Sequence, residues 1–245
     1  MALQGEGGGS PSAGGKRKRD APSSGRKKHK NKKAGASPAA AASSLSERVE
    51  ALFDAYKDDP DDPDDEMDDE GIEKFFGDAG IDTQDIAVLV LSWYMKAETM
   101  CVYKKEEFCR GMRLLGCDSA AQVGERAESL RMQLLDPDTF KDFYGYVYGF
   151  ACDVGQRTLA KDTALALWEL VLKGREAEVP LAAPWVAYLT DVCTASAVSK
   201  DVWNQAWTFF TTIEADLSNF DEDGAWPVMI DEFAEYLQEK LKQEK

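Results

Sequence analysis

The groups in this chain that could do chemistry are the acids of two loops and five thiols. The first loop, Asp58 to Glu70, is mostly Asp, with Pro60 and Pro63; the second runs from Asn219 to Phe233. An EF-hand calcium loop needs oxygen ligands at positions 1, 3, 5, 7 and 9, Gly at 6 and a bidentate Glu at 12. With Gly224 at position 6, Asn219, Asp221 and Asp223 fall at 1, 3 and 5, but position 12 is Ile230. With Ile72 at position 8, Asp65 and Asp69 fall at 1 and 5, while Met67 takes 3 and Phe76 takes 12. Both loops lack the bidentate carboxylate, so the spacing reads as degenerate EF-hand-like helix–loop–helix units without metal. A calcium-binding regulatory protein stands as the alternative function.

Cys101, Cys109, Cys117, Cys152 and Cys193 are odd in number and form no CxxC pair, and no signal peptide or apolar span accompanies them. They read as reduced thiols of a cytosolic or nuclear protein. Thioester transfer through a cysteine can proceed without histidine, but Cys101 and Cys109 have no electropositive neighbourhood to lower their pKa. Lys104, Lys105 and Arg110 are expected to face solvent, so the thiols read as structural. The single histidine is His29. A body without histidine excludes Ser-His-Asp and Cys-His catalysis and zinc sites that need an imidazole. No cofactor is implied.

The elements that must position these groups follow from charge and periodicity. Residues 1–45 hold ten Lys/Arg against Glu6 and Asp20; with −16 over the whole chain, the other 200 residues carry −24. Such a body is unsuited to nucleic acid or an anionic membrane and suited to a basic protein partner. Residues 1–45 are poor in large apolar side chains, which predicts a disordered tail. Its clusters Lys16-Arg17-Lys18-Arg19 and Arg26-Lys27-Lys28-His29-Lys30 read as a bipartite nuclear localisation signal, with a generic polycation as the other reading. The expected location is the nucleus, with a share in the cytoplasm.

Order is predicted from Ser44-Leu45-Ser46-Glu47, a capping-box pattern. Helical periods follow through Val49 to Tyr56, Ile72 to Phe76, Ile86 to Trp93 capped by Asp82-Thr83, Lys104 to Leu115 ended by Gly116, Ser119 to Leu135, Asp138 to Ala151, Thr163 to Leu172 ended by Gly174, Pro184 to Val192 and Lys200 to Ala215. The last helix follows Pro227, with Ile230, Phe233 and Leu237 toward a core and Asp231 in the first turn, where the helix dipole favours an anion. No hairpin chemistry interrupts them. The fold class is all-α: about ten short helices in a two-lobed domain. The stripes Phe143, Tyr144, Val147, Phe150 and Trp203, Trp207, Phe210 read as core or as a groove lining.

Several motifs also run in the order of one family. Asp201-Val202-Trp203 precedes Asn219 to Phe233 with its Gly224-Ala225-Trp226-Pro227 centre. Gly71-Ile72-Glu73-Lys74-Phe75 precedes Val88 to Trp93; Glu107-Phe108 leads to Gly111-Met112 and Leu115 to Ser119; Phe140 to Tyr144 leads to Phe150-Ala151 and Gly155-Gln156. Over about residues 46–240 the chain resembles the potentiating-neddylation (PONY) domain of the defective-in-cullin-neddylation proteins. The expected organisation is a tail over 1–45 and this domain over 46–245.

The resemblance implies a non-catalytic scaffold co-ligase, a monomer that binds a cullin C-terminal domain, a neddylation conjugating enzyme with an acetylated N-terminus, and the RING protein of cullin ligases. Orienting the thioester toward the acceptor lysine is catalysis by proximity, and it would regulate cullin-RING ubiquitin ligases. By motif, the cullin-contacting residues are Asp201, Ala225 and Asp231. The acetyl-methionine pocket falls on Ile72, Val88, Leu89, Leu91, Met100, Cys101, Tyr103, Phe150, Leu167 and Leu170. Met100 replaces a polar residue common in other members, and Leu167 stands where some have Tyr.

Overall fold

A computed structural model describes residues 38–59 and 63–243. The basic tail clusters lie outside the described residues. The first helix, α1, is Pro38–Tyr56. It passes straight through the expected capping box at Ser44–Glu47, because the alanine run Ala39 to Ala42 ahead of it has the highest helix propensity. Ser44 Oγ instead accepts from Arg48 Nη1, and Ser46 Oγ accepts from Arg113 Nη1.

The order of the remaining elements shows one plan used twice. α1, β1 (Glu66–Met67) and α2 (Asp69–Ala79) form one helix–strand–helix unit; α3 (Ile86–Met95), β2 (Tyr103–Lys104) and α4 (Lys105–Leu115) form the next. β1 and β2 pair antiparallel, Glu66 opposite Lys104 and Met67 opposite Tyr103. After α5 (Ala120–Gln133), the plan returns as α6 (Pro137–Ala151), β3 (Thr158–Ala160), α7 (Lys161–Val171), α8 (Ala182–Asp191), β4 (Ala197–Ser199) and α9 (Lys200–Thr212). Leu159 stands opposite Val198 in the second ribbon. α10 (Val228–Gln243) closes the chain.

The fold is all-α, and the EF-hand-like pairing is real. One assignment of it changes. The 58–70 loop is a paired loop, but the 219–233 loop is not; the second ribbon joins the loops before α7 and before α9. Strands of two or three residues are too short to show a period-2 pattern, so the sequence hid them.

Local chemistry fixes the helix ends. Ser119, Asp136 and Ser199 cap α5, α6 and α9 by accepting from Gln122, Thr139 and Val202 N–H. α3 is capped by Asp85, which accepts from Ala87 N–H, and not by Asp82-Thr83. Asp82 serves a turn before it, accepting from Gln84 N–H. Gly116 ends α4 at φ 66, where a Cβ would be strained.

Two aromatic clusters fill the core. Phe53, Phe75 and Phe108 meet edge to face in the first half. In the second, the Tyr144, Trp203 and Trp168 rings stack at centroid spacings of 4.7 and 4.8 Å. α6 joins the halves. Phe143 packs edge-on against Trp93, and Tyr146 Oη donates to Ala97 C=O at 2.8 Å. Arg175 lies 3.8 Å over the Phe140 ring while Nη1 donates to Leu134 C=O. No described helix is long and apolar enough to cross a membrane.

Candidate functional site

The join between the halves leaves a cavity of about 580 Å³, well within the usual range for ligand pockets. α2 contributes Ile72, α3 Val88 and Leu89, the loop before β2 Met100 and Cys101, β2 Tyr103, α6 Phe150, and α7 Leu167 and Leu170. Nine of the ten residues named from the sequence therefore converge on one space. Leu91 does not. It lies two residues beyond Leu89, roughly 200° around the helix, and is fully buried in the core of its own half.

The floor is held rigidly. Tyr103 Oη and Ser92 Oγ are 2.6 Å apart in a buried hydrogen bond, and Ser92 Oγ also donates to Val88 C=O. Burial pushes the Tyr103 hydroxyl far above its ordinary pKa, so it stays protonated. Sequence reasoning missed the rim: Asp69, Glu73, Thr83, Gln84, Asp85, Thr163 and Ala166 also line the space. Asp69 and Glu73 flank Ile72 within two turns of α2, and this spacing was the available signal. Asp85 is tied by Arg131 through two contacts, 2.6 and 3.0 Å, and that bond holds its carboxyl below the usual range.

The C-terminal loop is held by Asn219 and Asp221. Asn219 Oδ1 accepts from Glu214 N–H and its Nδ2 donates to Thr212 C=O. Asp221 Oδ1 accepts from Asp223 N–H, and its carbonyl from Gly224 N–H. A Cβ on Gly224 would stand 2.8 Å from the Asp221 carbonyl oxygen, so the turn demands glycine. Trp226 stacks on Phe220 and meets Phe209 edge-on. That anchor sets Ala225 exposed ahead of α10, with Asp231 half-buried one turn inside it. Partial burial pushes the Asp231 carboxyl up from its usual value. Asp201 is exposed in the first turn of α9, whose opposite end carries Phe209. The loop thus joins Ala225 to Asp231, while Asp201 comes from the other end of α9. Neither aspartate is in an ion pair among the described residues.

In the first acidic loop, cations come from side chains. The buried Lys57 ammonium sits 2.7 Å from Asp65 Oδ1, and Lys105 Nζ lies 3.9 Å from Oδ2. The bond from Lys57 holds the Asp65 carboxyl below its ordinary value. Among the described residues, no group of three or more Asp, Glu, His or Cys side chains is arranged to hold a metal ion. Burial pushes Cys109, Cys117 and Cys152 up. Burial and then the hydrogen bond to Asp69 do the same to Cys101, which stands at φ 64.

A helical body with a preformed apolar cavity and acids exposed on its surface has the build of a recognition module. A family model described as "Cullin binding" matches residues 122–236, from α5 into α10. "DCN1-like protein 5" of Homo sapiens is 42% identical over 174 residues, covering 71% of each chain. "DCN1-like protein 3" of Bos taurus is 36% identical over 215 residues, covering 86% of this chain and 69% of the relative. This chain belongs to the DCN1-like, cullin-binding family.

Proposed function

We propose that this protein promotes cullin neddylation as a scaffold without chemistry of its own. The cavity receives the acetylated N-terminal methionine of the conjugating enzyme, and the surface of Asp201, Ala225 and Asp231 receives a basic patch of the cullin C-terminal domain. Holding both with the RING protein orients the thioester toward the acceptor lysine, the kind of positioning that accelerates a bimolecular step most. The observation that carries this reading is the convergence of Ile72, Val88, Leu89, Tyr103, Phe150 and Leu167 on one apolar space. Acetylation matters physically because it removes the ammonium charge, whose transfer onto an apolar floor would be costly. The upward shift of the Cys101, Cys109, Cys117 and Cys152 thiols supports a scaffold over a thioester-forming transferase. The protein acts as a monomer, and its basic tail directs it to the nucleus, with a cytoplasmic share.

The deciding experiment is capture of a cullin C-terminal domain by wild type, Asp201→Arg and Asp231→Arg. Each variant sets like charge against the basic patch and is expected to lose binding. Unchanged capture by both would sink the cullin assignment. Titration with acetylated and unacetylated conjugating-enzyme peptides checks the cavity, and equal affinity for the two would remove it from the scheme.

A further inference from the structure

The cavity is apolar below and acidic at its mouth. Asp69 and Glu73 both line it from the exposed side of α2. No lysine or arginine is among its lining residues. The third acid, Asp85, is neutralised by Arg131 at two points and lies in the field of Lys173. The cation nearest in sequence, Lys74, turns to the other face, its Nζ 5.1 Å over the Tyr56 ring. Asp69 accepts a hydrogen bond from the Cys101 thiol, and Glu73 is in no ion pair among the described residues.

From this we infer that Asp69 and Glu73 are specificity-determining residues of the cavity: they select a ligand whose buried apolar residue is followed, within a few positions, by a Lys or Arg. The inference rests on the cavity being the peptide site proposed above. An extended peptide advances about 3.3 Å per residue, so a chain leaving the cavity presents its next side chains to the rim immediately. A cation there meets two carboxylates that no ion pair among the described residues neutralises. An acid there meets repulsion.

The test uses the full-length protein and acetyl-Met pentapeptides in which one Lys, Glu or Ala is scanned through the positions after Met, titrated by fluorescence anisotropy at low salt. Exposed pairs are each weak, so the best Lys peptide is expected to bind about threefold to tenfold tighter than the all-Ala peptide, with the Glu peptide weaker than both. The Asp69→Asn/Glu73→Gln variant keeps the acceptor for the Cys101 thiol. It should shrink the ratio of Lys-peptide to Ala-peptide affinity below about twofold, whatever it does to the Ala peptide itself. Glu235→Gln/Glu239→Gln on α10 controls for the diffuse field of the −24 body and should leave the preference intact. Equal binding of Lys and Glu peptides, a preference that survives the rim variant, or one abolished by the α10 variant would each overturn the inference. No binding of the all-Ala peptide to the wild type would overturn the cavity reading beneath it.

Discussion

Replacing Tyr144 by Phe tests how the second half holds α7, which lines the cavity, and α9, which carries Asp201. Tyr144 is 2% exposed. Its hydroxyl donates to Trp203 C=O at 3.0 Å and accepts from Trp168 Nε1 at 2.7 Å. Tyr144→Phe keeps the ring, so the stack survives and no cavity opens. Trp203 C=O sits inside α9 and keeps its helical partner. The Trp168 indole N–H has no such reserve and becomes a buried orphan beside Trp185, whose own indole N–H already lacks an acceptor. An unsatisfied buried donor costs about 1–3 kcal/mol. The expected loss is therefore roughly 2 kcal/mol by urea titration, equivalent to about 4–8 °C in Tm for a domain of this size. Trp168→Phe removes the donor, so in a double-mutant cycle the second substitution should cost at least about 1 kcal/mol less than alone. Cullin and peptide affinities well below Tm should stay within about twofold, because neither surface includes Tyr144. A loss under about 0.5 kcal/mol, or additive single effects, would refute the reasoning.

Four further outcomes follow from the same geometry. Ala166→Trp should block the acetylated peptide while sparing cullin capture, since Ala166 is exposed yet lines the cavity; isothermal titration with each partner checks this. Gly124→Ala places a Cβ 2.0 Å from the Ala79 carbonyl oxygen where α5 crosses α2, and should cost about 1–3 kcal/mol by overpacking. Gly145→Ala meets nothing within 4 Å and should stabilise α6 by about 0.5–1 kcal/mol; urea midpoints give both signs. Asp85 titrates below the ordinary carboxylate range because Arg131 binds its charged form. Its stabilisation is present above the unfolded pKa of about 3.9 and is lost as pH falls through the lower folded value. The stability gap between wild type and Asp85→Asn, at most about 1 kcal/mol for a half-exposed pair, should be constant from neutral pH to about 5 and close below about 4.

Legibility in the sequence followed from the range of the interaction. Helix α6 was readable because the run of Phe140, Phe143, Val147 and Phe150 is a local signal. Asp85 was passed over for Asp82-Thr83 because both can cap, and only the placement of α3 chooses between them. The 219–233 loop read as an EF-hand-like loop of the same kind as the 58–70 loop, since both have acids at ligand spacing. Pairing is decided elsewhere, by two-residue and three-residue strands whose partners lie far away in the chain.

The sequence by itself determined the all-helical class, the helix ends at Gly116 and Ser119, and the acidity of the body. Periodicity, capping and charge are properties of neighbouring residues, so they are written in the chain. Only the tertiary structure decided that Ile72, Leu89, Phe150 and Leu167 face one cavity while Leu91 does not, and that Asp69 and Glu73 guard its mouth without a cation. The physical reason is that a cavity between halves is defined by what α6 and α7 leave unfilled against α2 and α3, and periodicity gives a helix its buried face without saying what lies across from it.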